Sequence, residues 1–163
     1  MKEYFTTLLN YNMWATKKTI EWLLPITEEQ WNQDIGGSFK TLFDTVLHVV
    51  SAEKLIFERL QGDTEPFLAT TFVGTKAELL TLWEGYSEKL AKLISSFSED
   101  DLQTIRYFKT LSGVEVKMEK YKLVAHIINH TTYHRGQIVN YLRQVGQTNL
   151  ESTDLFDYYL RLS

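Results

Sequence analysis

Apolar residues recur at helical spacing along four long segments of this 163-residue chain, and that pattern restricts its fold more than any other feature. The segments cover approximately residues 3–24, 38–60, 77–97 and 120–145. Each would form an amphipathic helix with one apolar face, and four such helices bury those faces most simply against one another. The pattern therefore predicts an all-α protein built as a four-helix bundle.

Residues that end or begin helices separate the four segments. The predicted helix ends lie at Pro25, Gly62 and Gly146. Capping-box spacings begin at Thr27, Thr75 and Ser98. Ser38 is predicted to cap the start of the second long helix. Two of the capping boxes have no long apolar pattern after them, so they predict short extra helices, and another short helix is expected over residues 153–162.

One stretch departs from the helical pattern. Val114, Val116 and Met118 alternate with charged residues, and the preceding Ser112-Gly113 is a turn signal. Alternation with a period of two is typical of a strand that has one face covered. The sequence thus predicts a small β-hairpin just before the last long helix.

The composition is that of one globular domain. Hydrophobic residues make up 44% of the chain, and the two prolines and eight glycines form no low-complexity linker, so we expect a single domain over residues 1–163. The chain has no cysteine, which excludes a disulfide, a thiolate metal ligand and a cysteine nucleophile. Any thiol chemistry would therefore use a thiol from outside the protein.

The charge distribution argues against a nucleic-acid partner, and the hydropathy pattern argues against a membrane span. The formal net charge is -4, and lysine and arginine are scattered along the chain, so the basic patch of a nucleic-acid-binding protein is not expected. No apolar run approaches the ~20 residues of a membrane span, and the first residues lack the pattern of a secretory signal. We expect a cytoplasmic protein that binds a small-molecule substrate.

Three of the four histidines, His126, His130 and His134, recur at intervals of four in the last long segment. Residues four apart lie one turn apart on the same side of a helix. The apolar residues of this segment place His130 and His134 on the inward face and His126 at its edge. His126 and His134 would be ~12 Å apart along the axis, so all three cannot easily bind one ion. The inward pair is therefore the candidate.

Two interpretations of this pair are open. Two inward imidazoles one turn apart can chelate a metal ion at ~2.0–2.1 Å, or they can be hydrogen-bonded residues at the edge of the core. A catalytic metal site also needs a third ligand and an open coordination position. The remaining histidine, His48, lies in the second segment, where spacing alone would let Asp44 or Glu53 serve instead. The residues by themselves leave the third ligand open.

Four stretches in order, YNMWA, SFKTLFDTVLHVVSAEKLIF, HIINHTTYHRGQ and TDLFDYY, resemble the DinB family, within the DinB/YfiT-like metalloenzymes. The resemblance covers essentially the whole chain, and its most specific element is NHxxYHRGQ, from Asn129 to Gln137. It implies an up-down-down-up four-helix bundle, commonly a homodimer, in a family associated with DNA damage-inducible stress responses.

The same resemblance implies a divalent metal, most often nickel or zinc, held by three histidines. Carried onto this sequence, the ligands are His48, His130 and His134. His126 then looks like a packing residue beside the ligands.

Relatives that the chain resembles include transferases that use bacillithiol, mycothiol or glutathione. The resemblance therefore implies a low-molecular-weight-thiol S-transferase, of the bacillithiol type, that acts on small electrophiles. Two alternatives stay open. One is a hydrolase that uses a metal-activated water, and the other is a non-enzymatic, dimeric, stress-induced protein that binds a metal or a small molecule.

Three further residues carry expectations. Arg135 is expected to form an ion pair with a carboxylate at a helix contact, with an anionic substrate group as the alternative. Gly136 within a helix costs ~1 kcal/mol relative to alanine, so a close approach of another helix or a local bulge is expected there. Asp154 is expected to dock the last short helix, or to orient a histidine.

Overall fold

The chain folds into four long helices, four short helices and one hairpin in the computed structural model, which describes residues 1–63 and 66–163. The elements in chain order are α1 (Lys2–Leu23), α2 (Glu28–Asn32), α3 (Leu42–Gln61), α4 (Leu68–Thr71), α5 (Lys76–Ser96), α6 (Glu99–Gln103), β1 (Ile105–Lys109), β2 (Glu115–Glu119), α7 (Lys120–Gln144) and α8 (Leu155–Leu162). The predicted all-α architecture is confirmed, and so are the short extra helices.

Most helix boundaries follow the local signals in the sequence. The three predicted capping boxes all form, and Gly62 ends α3 in the left-handed region at φ 97°. The predicted start of the second long helix is wrong. Ser38 lies in a loop, and the N-cap of α3 is Thr41, whose hydroxyl accepts a hydrogen bond from the Asp44 amide at 3.0 Å.

The predicted hairpin is present. Strands β1 and β2 pair antiparallel, in a register that runs from Ile105 opposite Glu119 to Lys109 opposite Glu115. The turn between the strands contains Gly113 at φ 86°, a backbone conformation that favours glycine. The hairpin leads directly into α7.

Contacts between helix ends establish the up-down-down-up order. The Lys76 ammonium donates to the carbonyl of Leu24 at 3.3 Å, so α5 begins where α1 ends. The Gln30 amide donates to the carbonyl of Val145 at 2.8 Å, which places the end of α7 at that same end of the bundle. Tyr141 of α7 contacts the loop just before α3. Thus α1 and α7 run in one direction, and α3 and α5 run in the other.

A layer of buried polar side chains divides the core into two apolar halves. One half surrounds Trp83, near the starts of α3 and α5, and the other surrounds Ile127, near the start of α7. The side chains between them, which we call the polar layer, are Asn12, Thr16, Glu53, Ser87, Thr131 and Arg135. Every long helix contributes at least one member. Among the described residues, no helix combines the length and apolarity needed to cross a bilayer.

Candidate metal centre

The three histidines that the sequence singles out meet between α3 and α7. His48 comes from α3, and His130 and His134 come from successive turns of α7. One candidate ligand atom from each lies within 4.8 Å of the other two. The Nε2 atoms of His48 and His130 are 2.9 Å apart. The fold therefore brings together residues that are 82 positions apart in the chain.

These separations are compatible with a metal ion. In a tetrahedral site with metal–nitrogen distances of ~2.0–2.1 Å, neighbouring ligand nitrogens lie ~3.3 Å apart. The Nε2 atoms of His48 and His130, 2.9 Å apart, are slightly closer than this, and no two of the three ligand atoms are more than 4.8 Å apart. Among the described residues the group contains three histidines and no fourth ligand. Such a donor set matches a site that keeps one position open.

The two carboxylates that spacing allowed as third ligand are engaged elsewhere. The Asp44 carboxylate accepts a hydrogen bond from the Thr41 hydroxyl at 2.8 Å, at the start of α3. The Glu53 carboxyl lies in the polar layer, where it accepts from Asn12. Neither belongs to the group that could hold an ion.

The candidate ligands are neutral at physiological pH. Burial lowers the pKa of His48 to about 4, helped by the nearby His134. Burial also lowers the pKa of His130 to about 3, with further contributions from the charges of the neighbouring histidines. The pKa of His134 is lowered by burial, against the opposing effect of its hydrogen bond to Gln137. Neutral imidazoles have free lone pairs, so a metal ion would not compete with protons near pH 7.

Phe39 packs against two of the three imidazoles. Phe39, in the loop before α3, stacks on His48 with ring centroids 4.4 Å apart and an angle of 28°. Its ring also meets the edge of His134 at 5.7 Å. Beside them is a cavity of about 410 Å³, whose lining residues include His48, Phe39, Lys40 and Leu47. The cavity gives a small molecule room next to the candidate ligands.

Tyr141 fixes the loop that carries Phe39. Its hydroxyl lies 3.2 Å from the carbonyl oxygen of Gly36 and 3.1 Å from that of Phe39. Gly37 adopts φ 95°, and a β-carbon at this position would overlap the Tyr141 hydroxyl. The sequence contains no pattern that identifies Phe39 or Tyr141 as part of the site, because their roles depend on a contact between distant segments.

His126 lies outside the three-histidine group. Its side chain is exposed, and its ring centroid is 5.5 Å from that of His130. Its pKa is lowered, mainly because the neighbouring residues remove part of the ring from water, and then by the positive charge of Arg59. The packing role expected of His126 stays a prediction.

The expected ion pair of Arg135 is wrong. Arg135 is buried, and its guanidinium donates to the hydroxyls of Tyr11 and Thr132, with no salt bridge to any residue that the structure describes. The carboxyl of the polar layer, Glu53, is held by Asn12 and Thr131 instead.

The structure also decides the expectations for Gly136 and Asp154. A β-carbon at Gly136 would meet nothing within 4 Å, so no neighbouring helix approaches there, and α7 continues through this residue as a regular α-helix without a bulge. Both expectations for Gly136 are wrong. Asp154 caps α8 by accepting a hydrogen bond from the Phe156 amide at 2.8 Å. It therefore helps to begin the last helix and does not orient a histidine.

The sequence profile of the DinB family matches residues 1–160 of this chain. The chain belongs to the DinB family. The relative called Protein DinB, from Bacillus subtilis (strain 168), is 26% identical over 154 residues, which cover 90% of this chain and 88% of that protein. This agreement confirms the family that the motifs indicate.

Two solved structures of DinB-like proteins share the fold. One from Bacillus cereus ATCC 10987 aligns with a TM-score of 0.73 at 22% identity, over 92% of this DinB-family chain and 96% of that one. Another from Bacillus subtilis aligns with a TM-score of 0.68 at 19% identity, over 90% and 97% of the two chains. At such identities the comparison shows the bundle architecture alone.

Proposed function

We propose that this DinB-family protein is a metal-dependent enzyme, a low-molecular-weight-thiol S-transferase that acts on small electrophiles. The observation that carries the proposal is the convergence of His48, His130 and His134, with no fourth protein ligand among the described residues. A purely structural metal would instead be expected to have four protein ligands.

The proposed ligands suit this chemistry because all three are neutral. A divalent ion that they hold keeps its full double charge and strongly lowers the pKa of a thiol or a water at its remaining position. The part played by α3 and α7 is to hold the three imidazoles in place, and Phe39 packs against the rings of His48 and His134. The cysteine-free chain is consistent with a sulfur nucleophile supplied by a free thiol such as bacillithiol.

The proposed reaction forms one bond and breaks one bond. The thiol sulfur bonds to the electrophilic carbon, the leaving group departs with its bonding pair, and the thiol proton passes to solvent. The electrophile would occupy the cavity of about 410 Å³ beside His48. That volume lies within the range of ordinary small-molecule sites.

The metal site is tested by metal analysis of the purified protein and its variants. We expect about one divalent ion, nickel or zinc, per wild-type chain, and loss of that ion in His130→Ala. His126→Ala is the matched control, because His126 is on the same helix but outside the group of three. Retention of stoichiometric metal by His130→Ala would contradict the assignment.

The activity is tested with the metal-loaded protein and a panel of alkyl and aryl electrophiles, with and without bacillithiol or glutathione. Conversion that requires both the thiol and His130 is the expected result. Conversion without thiol would replace the proposal with a hydrolase, and a metal-loaded protein that converts nothing would replace it with a non-enzymatic binding protein.

The homodimer that the family implies also stays a proposal. Light scattering of the metal-free and metal-loaded protein tests it, since a dimer has twice the 19.1 kDa mass of the chain. A monomer in both forms would exclude it.

A further inference from the structure

The side-chain amide of Gln137 joins two neighbours on α7. Its Oε1 lies 2.7 Å from Nδ1 of His134. Its Nε2 donates to the hydroxyl of Tyr133 at 3.4 Å, so the amide oxygen faces the imidazole and the amide nitrogen faces the phenol. Because an amide oxygen only accepts hydrogen bonds, Nδ1 of His134 must carry the ring proton.

The other two histidines of the group lack such a partner. The Nδ1 of His130 is buried and has no hydrogen-bond partner among the described residues. The ring of His48 stacks on Phe39, and its Nε2 shares one hydrogen bond with Nε2 of His130, so in the metal-free protein either one of these two rings carries its proton on Nε2. The contact between His48 and His130 leaves open which ring carries the proton, whereas the hydrogen bond to Gln137 places the proton of His134 on a stated nitrogen.

We propose that Gln137 is a positioning residue, which holds His134 in the Nδ1–H tautomer and so presents Nε2 to the metal ion. This inference rests on the metal site proposed above. His48 and His130 already face each other through Nε2. With Gln137 in place, all three histidines offer the same nitrogen to a common centre.

The physical reason is that the tautomer and the ring angle of a ligand histidine are set by the hydrogen bond of its other nitrogen. Without an acceptor at Nδ1, the proton can move to Nε2, which then has no lone pair for a metal. The ring is also free to turn about χ2. Loss of a partner of this kind typically weakens metal binding by ~10–100-fold.

The first measurement uses the metal-free protein at pH 7. Imidazole ¹⁵N chemical shifts distinguish the two neutral tautomers. We expect His134 to be Nδ1–H in the wild type and in Gln137→Glu, which keeps an acceptor, and to shift toward Nε2–H in Gln137→Leu. This measurement does not depend on whether a metal binds.

The second measurement is zinc affinity by competition with a chromophoric chelator. Gln137→Leu is expected to weaken zinc binding ~10–100-fold, and Gln137→Glu to bind at least as tightly as wild type. Gln144→Leu is the matched control, because Gln144 is an exposed residue near the end of the same helix. Circular dichroism and the thermal midpoint of each metal-free variant show whether it is folded, and Gln137→Ala replaces the leucine variant if that one is not.

The outcomes separate this inference from the proposed function. Failure of the wild type to bind zinc would remove the metal site itself. If the wild type binds zinc but Gln137→Leu leaves the affinity and the tautomer unchanged, the metal site stands and the role of Gln137 is wrong. An Nε2–H tautomer of His134 in the wild type, or a Gln137→Glu variant as weak as Gln137→Leu, would also overturn it.

Discussion

Glu53 is a carboxyl group without solvent contact at the centre of the bundle. It accepts hydrogen bonds from Asn12 at 3.1 Å and from Thr131 at 3.2 Å, so it joins three helices. Burial raises its pKa to about 7, against the opposing effects of these hydrogen bonds and of the positive charge of Arg135. The carboxyl is therefore mainly protonated in the folded protein at slightly acidic pH.

This pKa predicts a pH dependence of stability. In the unfolded chain the carboxyl ionises near its ordinary value of 4.5, whereas in the folded protein it ionises near 7. Between these values the folded protein binds more protons, so the contribution of Glu53 to the free energy of unfolding falls as pH rises, by about 3 kcal/mol. Glu53→Gln should remove that fall.

Urea unfolding of metal-free wild type and Glu53→Gln from pH 4.5 to 7.5 measures the effect. The partly buried His48 and His130 affect stability with the opposite sign in this window. Their folded pKa values lie below the ordinary value of 6.5, so the unfolded chain takes up their protons first and stability is lost as pH decreases below 6.5. Only the difference in unfolding free energy between the two proteins reports the ionisation of Glu53. A difference that stays constant across the window would show that the carboxyl ionises normally.

At the level of elements, the loop before α3 connects the bundle to the candidate metal centre. It carries Phe39 to His48, and its backbone is held by Tyr141 of α7. Gly37 allows this contact because it adopts φ 95° and leaves space for the tyrosine hydroxyl.

Gly37→Ala is expected to destabilise the protein for two reasons, a strained backbone and an overlap with Tyr141. Gly113→Ala is the matched control, since Gly113 also has a positive φ, 86°, but a β-carbon there meets nothing within 4 Å. We expect each to lose about 1 kcal/mol from backbone strain, and Gly37→Ala to lose about 1–3 kcal/mol more from the overlap. Equal losses in urea unfolding would show that the Tyr141 contact adds nothing.

Most helix ends can be predicted from the sequence because they depend on residues that are close together in the chain. Helix ends such as Gly62 and the box at Thr75 depend on neighbouring residues, so the sequence predicts them correctly. Ser38 and Thr41 are both good capping residues. Thr41 has Asp44 three residues after it, the spacing of a capping box, and its hydroxyl accepts from the Asp44 amide and donates to the Asp44 carboxylate. A local signal for the true start of α3 is therefore present in the sequence, and Ser38 lacks it.

In the candidate metal centre, too, the contacts within one helix can be predicted and the contacts between helices cannot. Helical spacing within α7 correctly places His130 and His134 side by side, with ring centroids 4.4 Å apart. Their partner on α3 could be identified only through the family resemblance, because the packing of two helices is not encoded in the spacing of either one. Arg135 shows the limit of reasoning by charge, since its acceptor is the hydroxyl of Tyr11, 124 residues away.

For the whole molecule, the candidate centre lies between α3 and α7, so an ion there would connect them. A ligand that binds only the folded state stabilises it by mass action, by ~2.7 kcal/mol at a free concentration 100 times the Kd. We expect zinc to raise the unfolding free energy of wild type and His126→Ala by about that amount, and to leave His48→Ala unchanged. Equal stabilisation of His48→Ala would show that zinc binds elsewhere.

The polar layer has a mechanical consequence. If α3 or α7 slid along its neighbours by one turn, ~5.4 Å, its buried polar residue, Glu53 or Arg135, would move into one of the two apolar halves of the core. It would then lose its hydrogen bonds, which costs free energy. This free-energy cost holds α3 and α7 in a fixed axial register. The imidazoles on the two helices consequently keep the same axial position in the metal-free protein. We therefore expect metal binding to require little rearrangement and to be fast.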